Sequence, residues 1–456
     1  MFGKRIHFEA ILEAESDLHI GGAPAIERND GKGTRKIAAI MRDAYKKPYL
    51  PASGLKGALR SALDGDGSAI PIFGSAGDGA TSEGDAVLGN IAKLWLEDAR
   101  MEAATESNLN GLGHFEPEEG AYFQTRVALN ERTGANDRNK LFTREMVAKG
   151  AKFTLRGDWF GDVDDLLRSI IRQLMLGVIM GRGAKLGDGR LRIVDNSKVE
   201  IQTFEVNKDT LRLEPRAWSQ KDTTEFLNSC TPKDWDTDVH KLHLNCDGPF
   251  LSVRATEEGQ VLGQKTVQPL IREDKPHIQP SSIMGALRAR ARWLCEVERA
   301  KKNGSLFGAT RNHEDNQTID RRFDEAPEIF SIKDLQKLSA VERLFGVGGL
   351  QGRVRITKTL CKDIGKKVPM KQTSIDRVTG GVRSGFLYTE TVFDHAEFEV
   401  GIFLAERAGA SEDEDALFEA LLDDLDNGPP LELGHGSSKG MGWFKVTVEQ
   451  PEKAGE

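Results

Sequence analysis

The sequence predicts an α+β protein built as two tandem domains of one plan, and three observations predict it. First, Gly181-Arg182-Gly183-Ala184-Lys185-Leu186-Gly187-Asp188-Gly189 and Gly434-His435-Gly436-Ser437-Ser438-Lys439-Gly440-Met441-Gly442 share the pattern GxGxxxGxG without a gap. Second, Gln124 to Glu145 pairs with Met370 to Thr391 at one offset (370 − 124 = 391 − 145 = 246). Within that window Thr133/Thr379, Gly134/Gly380, Leu141/Leu387 and Thr143/Thr389 are identical, and Leu129/Ile375, Asn130/Asp376 and Phe142/Tyr388 are chemically alike. Third, Pro48-Tyr49-Leu50-Pro51-Ala52-Ser53-Gly54-Leu55-Lys56-Gly57-Ala58-Leu59-Arg60 is echoed by the stretch from Pro276 to Arg288, and Ile72-Phe73-Gly74 by Leu344-Phe345-Gly346. Blocks that recur in the same order are the signature of a tandem duplication.

The elements follow in order. Arg5 to Glu15 alternates as a strand, a loop runs to Tyr49, and Ser53 is placed to cap a helix reaching Leu63. Val163 to Leu176 reads as an amphipathic helix leading into the glycine loop, and Leu191 to Val194 as the closing strand. The second copy gives a strand around Val239 to Val253, helices Ser281 to Leu294 and Glu412 to Leu425, a glycine loop and a strand Trp443 to Val448. Strand, helix, further strands, helix, strand is the order of RRM/ferredoxin-like domains. The expected organisation is therefore two such domains, 1–204 and 241–456, joined by a polar, aperiodic linker at 205–240. Turn chemistry at Asn130-Glu131-Arg132-Thr133-Gly134 and Asp376-Arg377-Val378-Thr379-Gly380 predicts one protruding hairpin per domain. The expected tips are polar and basic, with Arg132, Arg138 and Lys140 on one and Arg377 and Arg383 on the other.

A chain of 456 residues is long enough for two hydrophobic cores. The net charge of −8 argues weakly against a nucleic-acid partner, but its distribution matters more. Residues 32–60 carry Lys32, Arg35, Lys36, Arg42, Lys46, Lys47, Lys56 and Arg60 against the single acid Asp43, a candidate phosphate-tracking patch. The acidic run at 411–426 reads as the solvated face of a helix that turns Leu417, Phe418, Leu421, Leu422 and Leu425 inward. Cys230, Cys246, Cys295 and Cys361 are too scattered for a zinc site or a disulfide framework, which fits a reducing cytoplasm. No stretch of about 18 apolar residues occurs, and the alternating start predicts neither a membrane span nor a signal peptide.

Glycine lets a backbone approach another chain closely and take positive φ, so the repeated loop suits a bound phosphate or base. A dinucleotide-binding reading is poor, because that loop follows the first strand of a βαβ unit whereas these follow a late helix. Taken with Leu18-His19-Ile20-Gly21-Gly22, the proline-flanked helix start, the hairpin block and the helix leading into GxGxxxGxG, the chain resembles the RAMP superfamily. More narrowly it is similar to the backbone subunits of type III (Csm- or Cmr-like) CRISPR effector complexes, and the fused pair resembles the double-backbone subunit of the III-D type.

The resemblance implies domains stacked along a CRISPR guide RNA, hairpins that interrupt the guide:target duplex, and a loop aspartate that promotes cleavage of target RNA with Mg²⁺ or another divalent metal. It also implies other type III effector subunits as partners. Base pairing then carries sequence recognition and the protein supplies backbone contacts, stacking and shape. Lys56 and Arg60, one turn apart behind Ser53, suit guide phosphates. Ser281 and Arg288 take the matching places, while Met284 replaces Lys56. The further RNA-binding candidates are Arg132 and Arg377 at the hairpin tips, with Gly181, Arg182, Gly183 and Lys185 in the first loop and Gly434, His435, Gly436, Ser437, Ser438 and Lys439 in the second. His19 falls at a matching family position and reads as an RNA contact, since no second ligand stands at metal spacing. The aspartate implied for cleavage is Asp30, with Asp43 a second candidate better suited to a turn; no metal ligand set is assigned. The second copy sets Ser252-Val253-Arg254-Ala255 against His19-Ile20-Gly21-Gly22 and offers only Asp274, so it is expected to bind RNA without cutting unless Asp274 serves. Two alternatives remain open: a purely scaffolding subunit of the same complex, and a guide-processing endoribonuclease, which would not need two hairpins.

Overall fold

The structure is a computed structural model describing residues 4–22, 25–29, 34–63, 69–74, 91–102, 115–116, 121–129, 136–183, 187–207, 210, 212–230, 239–253, 269–272, 275–303, 328–329, 331–376, 378–407 and 409–451. It forms two compact units. One holds Met1–Arg126, Leu141–Ala184 and Asp188–Trp235; the other holds Asp236–Glu456 with the short segments Val127–Lys140 and Lys185–Gly187.

In the first unit the central elements are β1 (Lys4–Ala14), α1 (Ala52–Leu63), β2 (Ala99–Met101), β3 (Lys152–Phe160), α2 (Asp165–Leu176) and β4 (Arg190–Ile193). Every second residue of β1 from Ile6 to Ala14 is buried, the period expected of a strand with one face on a core. In α2 the buried residues are Leu167, Ile170, Ile171, Leu174 and Met175, the i, i+3, i+4, i+7, i+8 stripe of a helix lying on that core. Asp164 caps α2 by accepting the Leu167 amide at 3.0 Å. The strands run β4-β1-β3-β2, all antiparallel, with Leu12 opposite Phe153 and Ile193.

The second unit repeats the arrangement with β5 (His240–Cys246), α3 (Pro280–Asn303), β6 (Val354–Ile364), β7 (Ala396–Leu404), α4 (Glu412–Asn427) and β8 (Trp443–Glu449). Its strand order is β8-β5-β7-β6, again antiparallel throughout. Both units are thus mixed α+β, with one helix between the first and second core strands and one between the third and fourth. Phe250, Phe398 and Phe444 meet edge to face at 5.3–6.0 Å in the second core. Each fully buried ring or aliphatic side chain of this kind contributes about 1.5–3 kcal/mol.

Hairpins occur where the turn chemistry placed them, between Ala121–Leu129 and Asn136–Met146 and between Lys367–Ile375 and Val382–Phe393. Arg132 and Arg377 lie outside the described residues. The side chain of Arg383 is likewise not described, and the described part of the second tip carries polar and apolar residues. Asp376 closes it by accepting the Val378 and Thr379 amides at 2.9 and 3.0 Å, bonds that hold its carboxyl below the ordinary range. Around that turn Ile375, Val378 and Val382 are 65%, 93% and 70% exposed, so apolar side chains stand in the open beside it.

The segment 205–240 is not bare of regular structure. Strand Glu200–Val206 pairs along β1, Leu213–Ala217 pairs along that strand, and helix Gln220–Cys230 buries Phe226, Leu227 and Cys230 in the first core. Its polar composition hid three core contacts spaced at helical intervals. All four cysteines are free, and no helix among the described residues is long and apolar enough to cross a membrane.

The acidic run is more than a solvated face. Phe418, Leu421, Leu422 and Leu425 turn inward as expected, but Glu414 is 0% exposed. Its carboxylate accepts Arg343 Nε at 2.9 Å, Arg353 Nη1 at 3.2 Å and Arg407 Nη2 at 2.9 Å, while Asp413 pairs with Arg343 and Asp415 takes Arg353 at 2.8 Å. Three guanidinium groups so gathered depend on that carboxylate. Replacing Glu414 by Ala should therefore cost about 3–5 kcal/mol, read as a lower urea midpoint for the second unit; a loss below about 1 kcal/mol would show that the arginines are satisfied without it.

Candidate nucleic-acid interface

In the first unit the chain leaving β1 runs as an extended strap from Asp17 to Gly21. Leu18 exchanges both backbone hydrogen bonds with Val147, at 2.9 and 2.8 Å, and the Ile20 carbonyl accepts the Met41 amide at 2.8 Å. The glycine loop closes over it. The Arg182 amide donates to the His19 carbonyl at 3.0 Å, and the Gly189 amide to the Asp17 carbonyl at 2.7 Å. Side chains lock the same frame: the Tyr122 hydroxyl and the Lys149 amide donate to the Asp17 carboxylate at 2.6 and 3.0 Å, and Glu145 accepts the Ile40 amide at 3.0 Å and pairs with Arg42.

The second unit reproduces the backbone bonds. Phe250 and Phe393 exchange backbone bonds at 2.8 and 2.9 Å, the Ser252 carbonyl accepts Leu270 at 2.6 Å, the His435 amide reaches the Leu251 carbonyl at 2.7 Å, and Gly442 reaches Pro249 at 2.9 Å. The hydrogen bonds fix the correspondence at one offset (250 − 18 = 251 − 19 = 252 − 20 = 232), so Leu251 takes the place of His19. The expected match of Ser252 to His19 is one residue out. Side-chain similarity is too slight here to set the register, which is decided by partners about 140 and 180 residues further on, Phe393 and His435.

The glycines have a packing reason. A Cβ on Gly181, at φ +88°, would stand 2.3 Å from the His19 carbonyl oxygen, and one on Gly434, at φ +94°, 2.7 Å from that of Leu251. Gly189 and Gly442 would each place a Cβ 2.0 Å from a carbonyl oxygen, of Met180 and Leu433. These four positions need glycine so that the loop can touch the strap and the residue that leads into it. Several loop amides are likewise spent internally, Lys439 on Gly436, Gly440 on Ser437 and Met441 on Gly436.

What the loops offer outward is then narrower than the motif. Arg182, Gly181, Gly434, His435, Ser438 and Lys439 are exposed, Gly183, Gly436 and Ser437 are half-buried, and Lys185 lies outside the described residues. His19 is 1% exposed, its Nδ1–H donating to the Glu145 carbonyl at 2.7 Å, so its ring sits within the frame. On α1, Ser53 and Arg60 are exposed and Lys56 half-buried. Ser53 lies inside the helix and does not cap it; the first amide, Ala52, is taken by Asp98 Oδ1 at 2.8 Å. In α3, Ser281 stands in the first turn and Arg288 Nη1 donates to the Gly346 carbonyl at 3.0 Å, while Met284 is buried where Lys56 is half-exposed.

Of the acid candidates, Asp30 and Asp274 lie outside the described residues. Asp43 Oδ1 accepts the Tyr45 and Lys47 amides at 2.8 and 2.9 Å, a turn-closing role. That turn presents Tyr45, 79% exposed, beside the exposed Lys46 and Lys47, an aromatic with adjacent cations that the charge count alone passed over. Among the described residues no group of three His, Cys, Asp or Glu side chains is arranged to hold a metal ion. Two further residues escaped the sequence reading. Glu390, 1% exposed, lies under the second loop, with Lys439 Nζ 3.1 and 3.3 Å from its oxygens and His435 Nε2 at 3.3 Å. Arg144, also buried, is its counterpart in the first copy at the hairpin offset (390 − 144 = 393 − 147 = 246).

Burial first, then the charges of Arg144 and Arg182, push the His19 imidazole below its ordinary value, against the opposing bond to the Glu145 carbonyl. The unfolded chain therefore takes up a proton near pH 6.5 that the folded one refuses, and stability must fall as pH drops below that point. Between pH 7 and 5 the first unit should lose up to about 1.4 kcal/mol per pH unit from this residue. A His19→Gln variant should lack that component in urea titrations; an unchanged pH dependence would mean that His19 protonates freely in the fold.

Comparison with known proteins bears directly on this doubled frame. No curated protein matches the chain. The model of one family, described as RAMPs, RAMP superfamily, matches residues 11–192 and 262–445, which take in both straps' glycine loops, both hairpins and both helices that precede the loops. The chain belongs to the RAMP superfamily, and so to the CRISPR-associated RNA-binding proteins.

Proposed function

We propose that the chain is the fused double-backbone subunit of a type III, III-D-like, CRISPR effector ribonucleoprotein, holding guide RNA with both units. The observation that carries this reading is the repetition of one backbone frame, strap, hairpin return and glycine loop, in two units that each match the family. The shared strand order supports an RRM/ferredoxin-like assignment for both, since fourth-first-third-second with intervening helices is the ferredoxin-like arrangement. The exposed cations Arg60, Lys46, Lys47 and Arg182 give the first unit a surface suited to phosphates, with Tyr45 available to stack on a base. The exposed Ile375, Val378 and Val382 beside the second hairpin's turn suit insertion between base steps.

Chain co-expressed with its neighbouring subunits should copurify with a discrete short RNA. Preparations free of RNA under those conditions would sink the reading.

Cleavage of target RNA is assigned to the first unit by the resemblance, through Asp30 and a divalent metal. Asp30→Ala should then abolish one cleavage position in the assembled complex while leaving guide binding intact. Cleavage retained at every position would leave the subunit as a scaffold, the second reading.

A further inference from the structure

The two glycine loops share a backbone frame but differ in the charge beneath them. In the second unit Glu390 sits on the returning hairpin strand Val382–Phe393, opposite Met370, and its side chain points under the loop. It is almost completely buried, and its two oxygens lie 3.1 and 3.3 Å from Lys439 Nζ, with His435 Nε2 3.3 Å from one of them. A carboxylate removed from water is tolerated only where cations and donors compensate it. Here the compensation among the described residues comes from the loop itself. The first unit has Arg144 at this place, and its loop presents Arg182, in register with His435 (435 − 182 = 442 − 189 = 253), exposed to solvent. The first loop has an acid of its own, Asp188, buried beside Gly183.

We propose that Glu390 is a built-in counter-anion: it occupies the place a phosphate would take at the second glycine loop, so Lys439 and His435 hold the loop and do not neutralise RNA phosphate. This rests on the RNA-binding reading above and refines it. It divides the loops by chemistry: the first offers an exposed guanidinium to the RNA backbone, and the second offers a lysine already matched by a carboxylate. A phosphate approaching the second loop would have to displace a carboxylate that cannot itself reach water. That exchange gains nothing in Coulomb energy and leaves Glu390 buried without its partners.

The salt dependence of RNA affinity separates this from a merely structural clamp, because its slope counts the phosphates neutralised and does not move when part of a preparation is unfolded. With the full-length protein and a labelled single-stranded RNA of mixed sequence, the slope of log K against log salt should be the same for wild type and Lys439→Met. Glu390→Gln should steepen it by about 0.7, the increment of one phosphate on single-stranded RNA. Lys439→Met added to Glu390→Gln should return it to the wild-type value.

A slope shallower by about 0.7 for Lys439→Met in the wild-type background overturns the inference, as does a Glu390→Gln protein whose slope is unchanged. If Glu390→Gln fails to fold, the Lys439→Met comparison still decides. Wild-type protein that binds no RNA at any salt, alone or co-expressed with its neighbouring subunits, overturns the RNA reading itself, and this inference with it.

Discussion

In each unit the chain leaving the first strand is gripped from three sides by backbone hydrogen bonds, and the rest of the site depends on that grip. The hairpin's return strand holds it through a reciprocal pair, Leu18 with Val147 and Phe250 with Phe393. On a second side the Ile20 and Ser252 carbonyls take the Met41 and Leu270 amides, and on the third a later loop holds it through the amides of Arg182 and Gly189 or of His435 and Gly442. Segments distant in sequence thereby become one surface: the strap, the root of the hairpin and the glycine loop cannot move independently. The glycines are what make the third contact possible, since any side chain at Gly181 or Gly434 would collide with the strap's carbonyl.

Because the grip is made by the backbone, side chains around it are free to diverge, and they do. The place of His19 is Leu251 in the second copy, that of Arg144 is Glu390, and that of Lys56 is Met284. A frame satisfied by its own amides and carbonyls needs no particular side chain beyond glycine, so duplication left two equal frames that could take up different chemistry. Polar side chains still matter as braces. Asp17 ties Tyr122 and the Lys149 amide, and Glu145 ties Arg42 and the Ile40 amide, each a buried carboxylate with its donors in place.

The second unit adds another brace of this kind at the opposite end of α4. Glu414 gathers three arginines from the short helix Ala340–Phe345, from Arg353 and from Arg407, joining the start of the helix to the edge of the sheet. An acidic run in sequence is thus partly an internal hub. Composition cannot distinguish the two, because a carboxylate reads the same whether its partner is water or a guanidinium 70 residues away.

By itself the sequence determined the duplication, the helices with their inward stripes, both hairpins and the glycine loops, and it placed the family resemblance on the right blocks. These are local: apolar residues at i, i+4 and i+8 such as Leu55, Leu59 and Leu63, turn residues at Asp376 and Gly380, and a spacing of glycines that survives without side-chain context. Tertiary structure alone decided the rest. The one-residue register of Leu251 on His19, the capping of α1 by Asp98 in place of Ser53, the burial of His19, Glu390 and Glu414, and the core contacts of Gln220–Cys230 all depend on partners far along the chain. Periodicity reports which face of an element is apolar, but the partner a buried charge or a backbone amide meets is fixed only when distant segments are brought together.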